Sequence, residues 1–224
     1  MVLKILSLLV ASYLIGSIPV GLFVVRLFTG KDVRQVGSGR VGGTNAMRAA
    51  GLLAGVLTAA LDAGKAILAG YLSALLIPGN TWVKVAAVVA AVLGQVYSVF
   101  LVDRNAENKL VFHGGAGGAT TLGGAIALFP ASWIVILPLV VLVFIIIGYA
   151  SVTTISIALF SLILFLIRAI NGQGPWQFVA YGGIALIIVL FALRPNLKRL
   201  REGTERVVGL RAYFQKKKEN QLSK

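Results

Sequence analysis

Apolar residues run through this chain in seven blocks, at roughly 3–28, 51–77, 82–102, 117–130, 131–150, 151–170 and 178–193. Within the blocks apolar and polar positions do not alternate, as the stretch ILPLVVLVFIIIGYA at 136–150 illustrates. A closed β-barrel requires that alternation, because its strands face lipid and lumen in turn. Most blocks approach or exceed the roughly 18 to 20 residues that a bilayer core of about 30 Å demands of a helix. Helices also satisfy every backbone group internally where no water is available. The pattern therefore predicts an all-α polytopic membrane protein of about seven transmembrane helices. The fourth block is short and glycine-rich, and Pro130 is expected to end it before the fifth begins.

Charge then orients the array. Basic residues concentrate between Arg26 and Arg48 and again between Arg194 and Lys224. Such clusters flanking membrane spans mark the cytoplasmic side. Six blocks separate the two clusters, an even number, so both can lie inside together. The N-terminus is then outside, the C-terminus is cytoplasmic, and the 103–116 loop is inside as well. The opening MVLKILSLLVASYLIG has the look of a secretory signal, but its apolar run continues to Val25 and meets Arg26, Lys31 and Arg34. It reads as a retained first span of a multi-pass protein of the bacterial inner membrane. One membrane-embedded domain over 1–224 is expected, with a basic cytoplasmic tail at 208–224 drawn to anionic lipid by about 1 kcal/mol per basic residue.

Composition agrees with this reading and removes alternatives. At 58% hydrophobic and 12% charged, the 224 residues are too apolar for a soluble domain. A formal net charge of +14 would suggest nucleic acid in a soluble protein, but here it follows the loops, and no nucleic-acid partner is expected. The chain has no cysteine, hence no disulfide or thiolate metal site, and no metal or cofactor is expected.

The polar chemistry lies in three inner segments. In SGRVGGTN at 38–45, Gly39, Gly42 and Gly43 permit tight turns that present N–H groups to an anion. Arg34, Arg40 and Arg48 add the planar fork that phosphate oxygens match, Ser38 and Thr44 add hydroxyls, and Asn45 can fix a turn or hold a substrate oxygen. A plain connector between two helices has the same composition. The second segment, HGGAGGATTLGG at 113–124, reads either as small-residue helix packing or as an anion nest at a helix N-terminus. It opens with His113, the only histidine of the chain, an inert loop residue or a proton carrier. The third segment, RPNLKRLREGTE after the last block, reads by composition as a solvated basic helix. Inside the second block, Asp62 and Lys65 share a helical face and can pair, either to orient the helix or to bind a ligand.

In this order the segments resemble the bacterial membrane acyl-phosphate:glycerol-3-phosphate acyltransferases of the PlsY type. GSIPVG at 16–21 is similar to the family's first-helix signature. Gly37, Ser38 and Gly39 with Gly42, Thr44, Asn45 and Arg48 resemble its first motif, and Asp62 with Lys65 its acidic and basic pair. Gly114, Gly115 and Gly117 resemble the glycines of its second motif, and Arg194, Asn196, Lys198, Arg199, Leu200, Gly203, Thr204 and Glu205 its third. The resemblance implies transfer of an acyl group from acyl phosphate to the 1-hydroxyl of glycerol 3-phosphate at the membrane, giving lysophosphatidic acid for phospholipid synthesis. It implies Ser38 beside the reacting carbonyl, Arg48 as a phosphate clamp, and Asn196 with them as catalytic. Gly39, Arg40, Gly42, Gly43, Thr44, Asn45, His113, Gly114, Gly115, Gly117, Arg199 and Glu205 are then expected to line the phosphate site. Nothing requires more than a monomer.

The chain also departs from that pattern. Gly94 and Gln95 stand where the second motif usually opens Gly-His, His113 and Ala116 replace two lysines, Leu193 replaces a histidine before Arg194, and Arg40 replaces an asparagine. Arg40, Lys109 or His113 could restore the lost positive charge, with substrate phosphate accepting the proton. A catalytically degraded relative that binds phosphate-bearing lipid or regulates a partner, and a small solute carrier, are the other classes compatible with the residues.

Overall fold

The computed structural model describes residues 1–104, 108 and 110–222. The first apolar block forms two helices, α1 (Val2–Ser17) and α2 (Val20–Thr29), because Pro19 has no N–H to continue the ladder. The break exposes the carbonyls of Gly16 and Ile18, and both accept hydrogen bonds from the Lys65 Nζ at 3.0 and 2.9 Å. A short turn at Val33–Gln35 follows, capped by the Asp32 side chain.

The next helix, α3 (Gly43–Leu76), starts eight residues before the second apolar block and kinks at Gly51, whose φ of 86° suits only glycine. The leg before the kink folds back on the helix that follows it. A Cβ on Gly43 would stand 2.8 Å from the Gly55 carbonyl oxygen. Two glycines thus let the first turns of α3, with Thr44, Asn45 and Arg48, lie over the next stretch of the same helix.

Helix α4 (Thr81–Val96) crosses α1 where Gly16 and Gly94 each leave no room for a Cβ against the opposing backbone. A two-stranded antiparallel hairpin follows, β1 (Val102–Arg104) with β2 (Leu110–Phe112), in register Val102 to Phe112. The all-helical expectation did not include it. Lys109 lies outside the described residues.

The fourth block becomes α5 (Gly118–Leu128), closed at Phe129 before Pro130, and then come α6 (Ser132–Ile146), α7 (Ala150–Ile170) and α8 (Trp176–Ala192). Helix α5 sits at the centre of the bundle, where Gly123 packs on the Ala63 backbone and Gly124 lies under the Tyr181 ring. The Tyr181 hydroxyl donates to the Thr121 carbonyl at 2.7 Å. Around it, Val88, Ala125, Ile136, Phe165 and Tyr181 form the largest apolar core.

All seven apolar blocks are therefore helical, but they are not seven equal spans. With 11 and 15 residues, α5 and α6 extend only about 16 and 22 Å at the usual helical rise. Among the described residues, four helical runs are long and apolar enough to cross a bilayer, or five if α8 is counted with α9 (Arg194–Arg201), bent from it by 65°. The basic tail is a helix, α10 (Gly209–Leu222), packed against α6, with the Arg211 guanidinium 4.7 Å from the Tyr149 ring centre.

Candidate active site

The first polar segment is organised by one side chain. Asn45, 2% exposed, donates from Nδ2 to the carbonyls of Val33, Val36 and Arg40 at 2.8 to 3.0 Å, and its Oδ1 accepts the Ser38 N–H at 3.2 Å. The loop closes around it because Gly37 and Gly39, on either side of Ser38, take φ of 55° and 71°. Of the two roles open to Asn45, it fills the structural one, and it fixes Ser38. Arg34 lies away from this centre, paired at 2.7 Å with Asp32. That hydrogen bond holds the Asp32 carboxyl below its ordinary pKa, with the Arg34 charge helping and slight burial opposing.

Arg40 links the first segment to the second and to the end of α8. Its guanidinium donates to the Gly115 carbonyl at 3.3 Å and to the Ala192 carbonyl at the end of α8. Burial, and then the nearby Arg199 charge, lower its pKa from the ordinary value, yet a guanidinium remains protonated in proteins.

The second segment supplies backbone. Gly115 donates its N–H to the Gln95 carbonyl at 2.8 Å, and Gly114 leaves no room for a Cβ against the carbonyls ending α4. Ala116 and Gly117 then face the cavity, Gly117 with φ of 82° as the N-terminal cap of α5. His113 does not join them. Its Nε2 lies 3.5 Å from Asp103 Oδ2 on the hairpin, and neither residue lines the cavity.

In the third segment, Asn196 Nδ2 donates to Glu205 Oε1 at 2.9 Å and Arg199 Nε to Glu205 Oε2 at 3.4 Å, with the Glu205 side chain 4% exposed. Asn196 Oδ1 is buried without a partner among the described residues. The loop carrying Glu205 is tied to the α6–α7 junction: Val207 pairs with Tyr149, and Val208 donates its N–H to the Gly148 carbonyl at 2.8 Å.

The three segments enclose one cavity of about 440 Å³. Ser38, Thr44, Arg40, Arg48, Asn196 and Arg199 line its polar part, and Glu205 with Gly42 and Gly43 completes that wall. Its inner part is apolar, walled by Val56 and Ala59 of α3, Leu122 of α5, Val140 and Phe144 of α6 and Ile157 of α7. Of the expected residues, Gly39, His113, Gly114 and Gly115 stand outside the lining and Lys65 behind it. Lys65 lies 2.8 Å from Asp62, and Gln95 joins them, donating to Asp62 Oδ2 at 2.9 Å and accepting from Lys65. Asp62 and Gln95 reach the cavity wall, so the pair both fastens α3 to the α1–α2 break and borders the site.

Six polar or charged lining residues were not among the expected site residues: Gln95, Thr120, Ser151, Thr153, Thr154 and Arg206. Gln95 stood out only as a departure from a motif, and Arg206 was one basic residue among many. Thr120 belongs with Ala119 to the Ala-Thr step after the second motif's glycines, to which no site role was attached, and for Ser151, Thr153 and Thr154 the sequence signal was only a hydroxyl near the start of an apolar block.

The model of the family described as glycerol-3-phosphate acyltransferase matches residues 6–203. A protein named glycerol-3-phosphate acyltransferase 2 from Moorella thermoacetica is 36% identical over 207 residues, covering 91% of this chain and 97% of that one. The glycerol-3-phosphate acyltransferase of one strain of Thermus thermophilus is 37% identical over 206 residues, covering 91% and 95%. Among solved structures, PlsY (YgiH), an integral membrane glycerol 3-phosphate acyltransferase, superposes in its glycerol 3-phosphate form with a TM-score of 0.76 at 30% identity, covering 92% of this chain and 96% of that one. Its lysophosphatidic acid form gives a TM-score of 0.77 at 29% identity, covering 94% and 98%. By sequence along nearly its whole length and by fold, this chain belongs to the glycerol-3-phosphate acyltransferase family.

Proposed function

We propose that the protein transfers a fatty acyl group from acyl phosphate to the 1-hydroxyl of glycerol 3-phosphate, giving lysophosphatidic acid and inorganic phosphate. The observation that carries this reading is the division of one cavity into an arginine-lined polar part and an apolar part deep among α3, α5, α6 and α7. A fatty acyl phosphate has the same division, and a polyol phosphate matches the polar part alone.

In the reaction the glycerol oxygen attacks the acyl carbonyl carbon, the bond from that carbon to the phosphate oxygen breaks, and the hydroxyl proton passes to a phosphate oxygen. The donor is already activated, so alignment and neutralisation of the phosphate charge carry the acceleration. Arg48 and Arg199 supply the neutralising charge. Ser38, fixed through Asn45, stands by the reacting carbonyl, and the partnerless Asn196 Oδ1 accepts a hydrogen bond from a substrate hydroxyl. Arg40 holds the segments together and adds charge to the polar wall.

We also propose one domain over 1–224 in the bacterial inner membrane, crossing it seven times with the N-terminus outside. The basic 26–50 stretch, the 103–116 loop, the third segment and the basic 208–224 tail are then cytoplasmic, where glycerol 3-phosphate is available. Seven crossings require the bilayer to thin, or the flanking loops to dip, around α5 and α6.

The test is purified protein in liposomes supplied with acyl phosphate and glycerol 3-phosphate. Release of phosphate together with lysophosphatidic acid is expected, and Ser38→Ala should abolish it. Turnover no higher than that of Ser38→Ala would reject the reaction.

A further inference from the structure

The last helix, α10, has two unlike faces. On one, the Arg211 guanidinium lies over the Tyr149 ring, and a Cβ on Gly148 would stand 2.7 Å from the Arg211 Cβ. On the other, Leu210, Tyr213 and Phe214, spaced i, i+3 and i+4, form an apolar stripe that is 51, 63 and 60% exposed. Gly209, with no room for a Cβ against the Phe144 carbonyl, seats the start of α10 beside Phe144 and Ile145. The stripe therefore begins at the end of α6 where Ile146 and Ile147 are exposed. On a helix of an integral membrane protein such residues meet lipid, and the stripe continues that surface.

The remainder of α10 is polar and basic. Its sequence holds Arg211 and the three consecutive lysines Lys216, Lys217 and Lys218 against one acid, Glu219. Aromatic and aliphatic side chains on one face of a basic helix suit the membrane interface, with the stripe among acyl chains and the cations at phosphate headgroups. A protein partner would be matched by the stripe alone, whereas the lysines call for an anionic surface. The family match ends at residue 203, before α10 begins at Gly209, so this helix lies outside the matched segment.

The same helix is fastened to the cavity. Between Glu205 and α10, Val207 pairs with Tyr149 and Val208 donates its N–H to the Gly148 carbonyl at 2.8 Å, while the Ala212 N–H of α10 donates to the Val208 carbonyl at 3.3 Å. Glu205 in turn accepts from Asn196 and Arg199, and all three line the polar wall. A displacement of α10 must therefore move Glu205 or break these bonds. We propose that α10 docks on anionic phospholipid through Leu210, Tyr213 and Phe214, and that this docking positions Glu205, with Asn196 and Arg199, for the polyol phosphate. The identity of the polyol phosphate rests on the reaction proposed above, and the lipid docking does not.

The chain has no cysteine, so single spin labels test the docking on the full-length protein. Labels on Phe214→Cys and Gln215→Cys, in phosphatidylcholine vesicles with and without phosphatidylglycerol, are compared for collision with oxygen, which enters acyl chains, and with a water-soluble nickel chelate. With phosphatidylglycerol the label at 214 should favour oxygen over nickel several-fold more than the label at 215. Without it that preference should shrink at least about twofold, as the lysines lose their counter-charge. Equal ratios at the two positions, no response to phosphatidylglycerol, or a label at 214 shielded from both reagents by another protein surface would overturn the docking. For the coupling, Leu210→Ser with Phe214→Ser should weaken glycerol 3-phosphate binding about fivefold in the mixed vesicles, read by titration calorimetry. Leu210→Met with Phe214→Leu should restore it, and the gap should narrow without phosphatidylglycerol, which a merely structural role would not do. Unchanged affinity, or the same gap in both lipids, would overturn the coupling. A wild type that binds no glycerol 3-phosphate would reject the proposed function and with it the coupling, while the labels still decide the docking.

Discussion

Arg40 donates to the carbonyl of Ala192, 152 residues further along the chain, and with its other amino group to Gly115. One guanidinium thereby joins the polar loop before α3, the loop before α5 and the end of α8. Arg40→Ala is expected to cost about 2 to 4 kcal/mol, since it removes hydrogen bonds from a charged donor and leaves carbonyls unmet. Arg40→Lys, which cannot reach both carbonyls with one ammonium, should recover less than half. Thermal unfolding in detergent reads the stability, and KM for both substrates should rise together.

Asn45 makes a different prediction, because its partners are all on one loop. Asn45→Asp keeps the size and the acceptor but loses the donors to Val33, Val36 and Arg40. Activity should fall at least about 100-fold, through misplacement of Ser38, while secondary structure by circular dichroism stays unchanged.

The Lys65 ammonium is the hub of a buried network that includes Asp62, Gln95 and two carbonyls freed at the Pro19 break. Lys65→Met should destabilise by about 3 to 5 kcal/mol, the cost of leaving a buried partner charge uncompensated. Lys65→Met with Asp62→Asn should be more stable than Lys65→Met alone. Equal unfolding midpoints of the single and double variants would contradict a paired charge.

Asp32 sets an acid limit of known sign. Its folded pKa lies below the ordinary 3.8, chiefly through the Arg34 hydrogen bond, so its contribution is present above that value and is lost as pH falls through the lowered one. Asp32→Asn should therefore lower the unfolding midpoint at pH 7, and the gap from the wild type should close on acidification below the carboxylate range.

The helical blocks were legible because a bilayer imposes one long apolar period on every span, and Pro130 ended α5 where the sequence put the stop. The early start of α3 was not legible. Residues 43–50 are polar and glycine-bearing like a loop, and they become helical by folding back on Gly55, a contact between neighbours that no periodicity records. Asn45 and Arg48 were identified as residues, but not that Asn45, besides bordering the cavity with Arg48, would organise the loop. His113 was singled out as the only histidine, and its side chain instead meets Asp103 across a hairpin whose short strands carry no apolar alternation. Ser151 and Arg206 were invisible because their place in the lining comes from where α7 begins relative to the loop after α9.

On the proposed seven-span topology, the shortness of α5 would set the depth at which chemistry takes place. A helix of 11 residues extends about 16 Å against a hydrocarbon layer of about 30 Å, so with its far end near the outer surface its first turn would be recessed below the inner one. A water-soluble acceptor would then descend a shaft toward a donor whose tail stays in the leaflet, and the host lipid would set the length of that shaft. Turnover should accordingly vary with acyl length of the surrounding phospholipid, falling in thick bilayers that bury the mouth of the shaft, even when substrate concentrations are held constant.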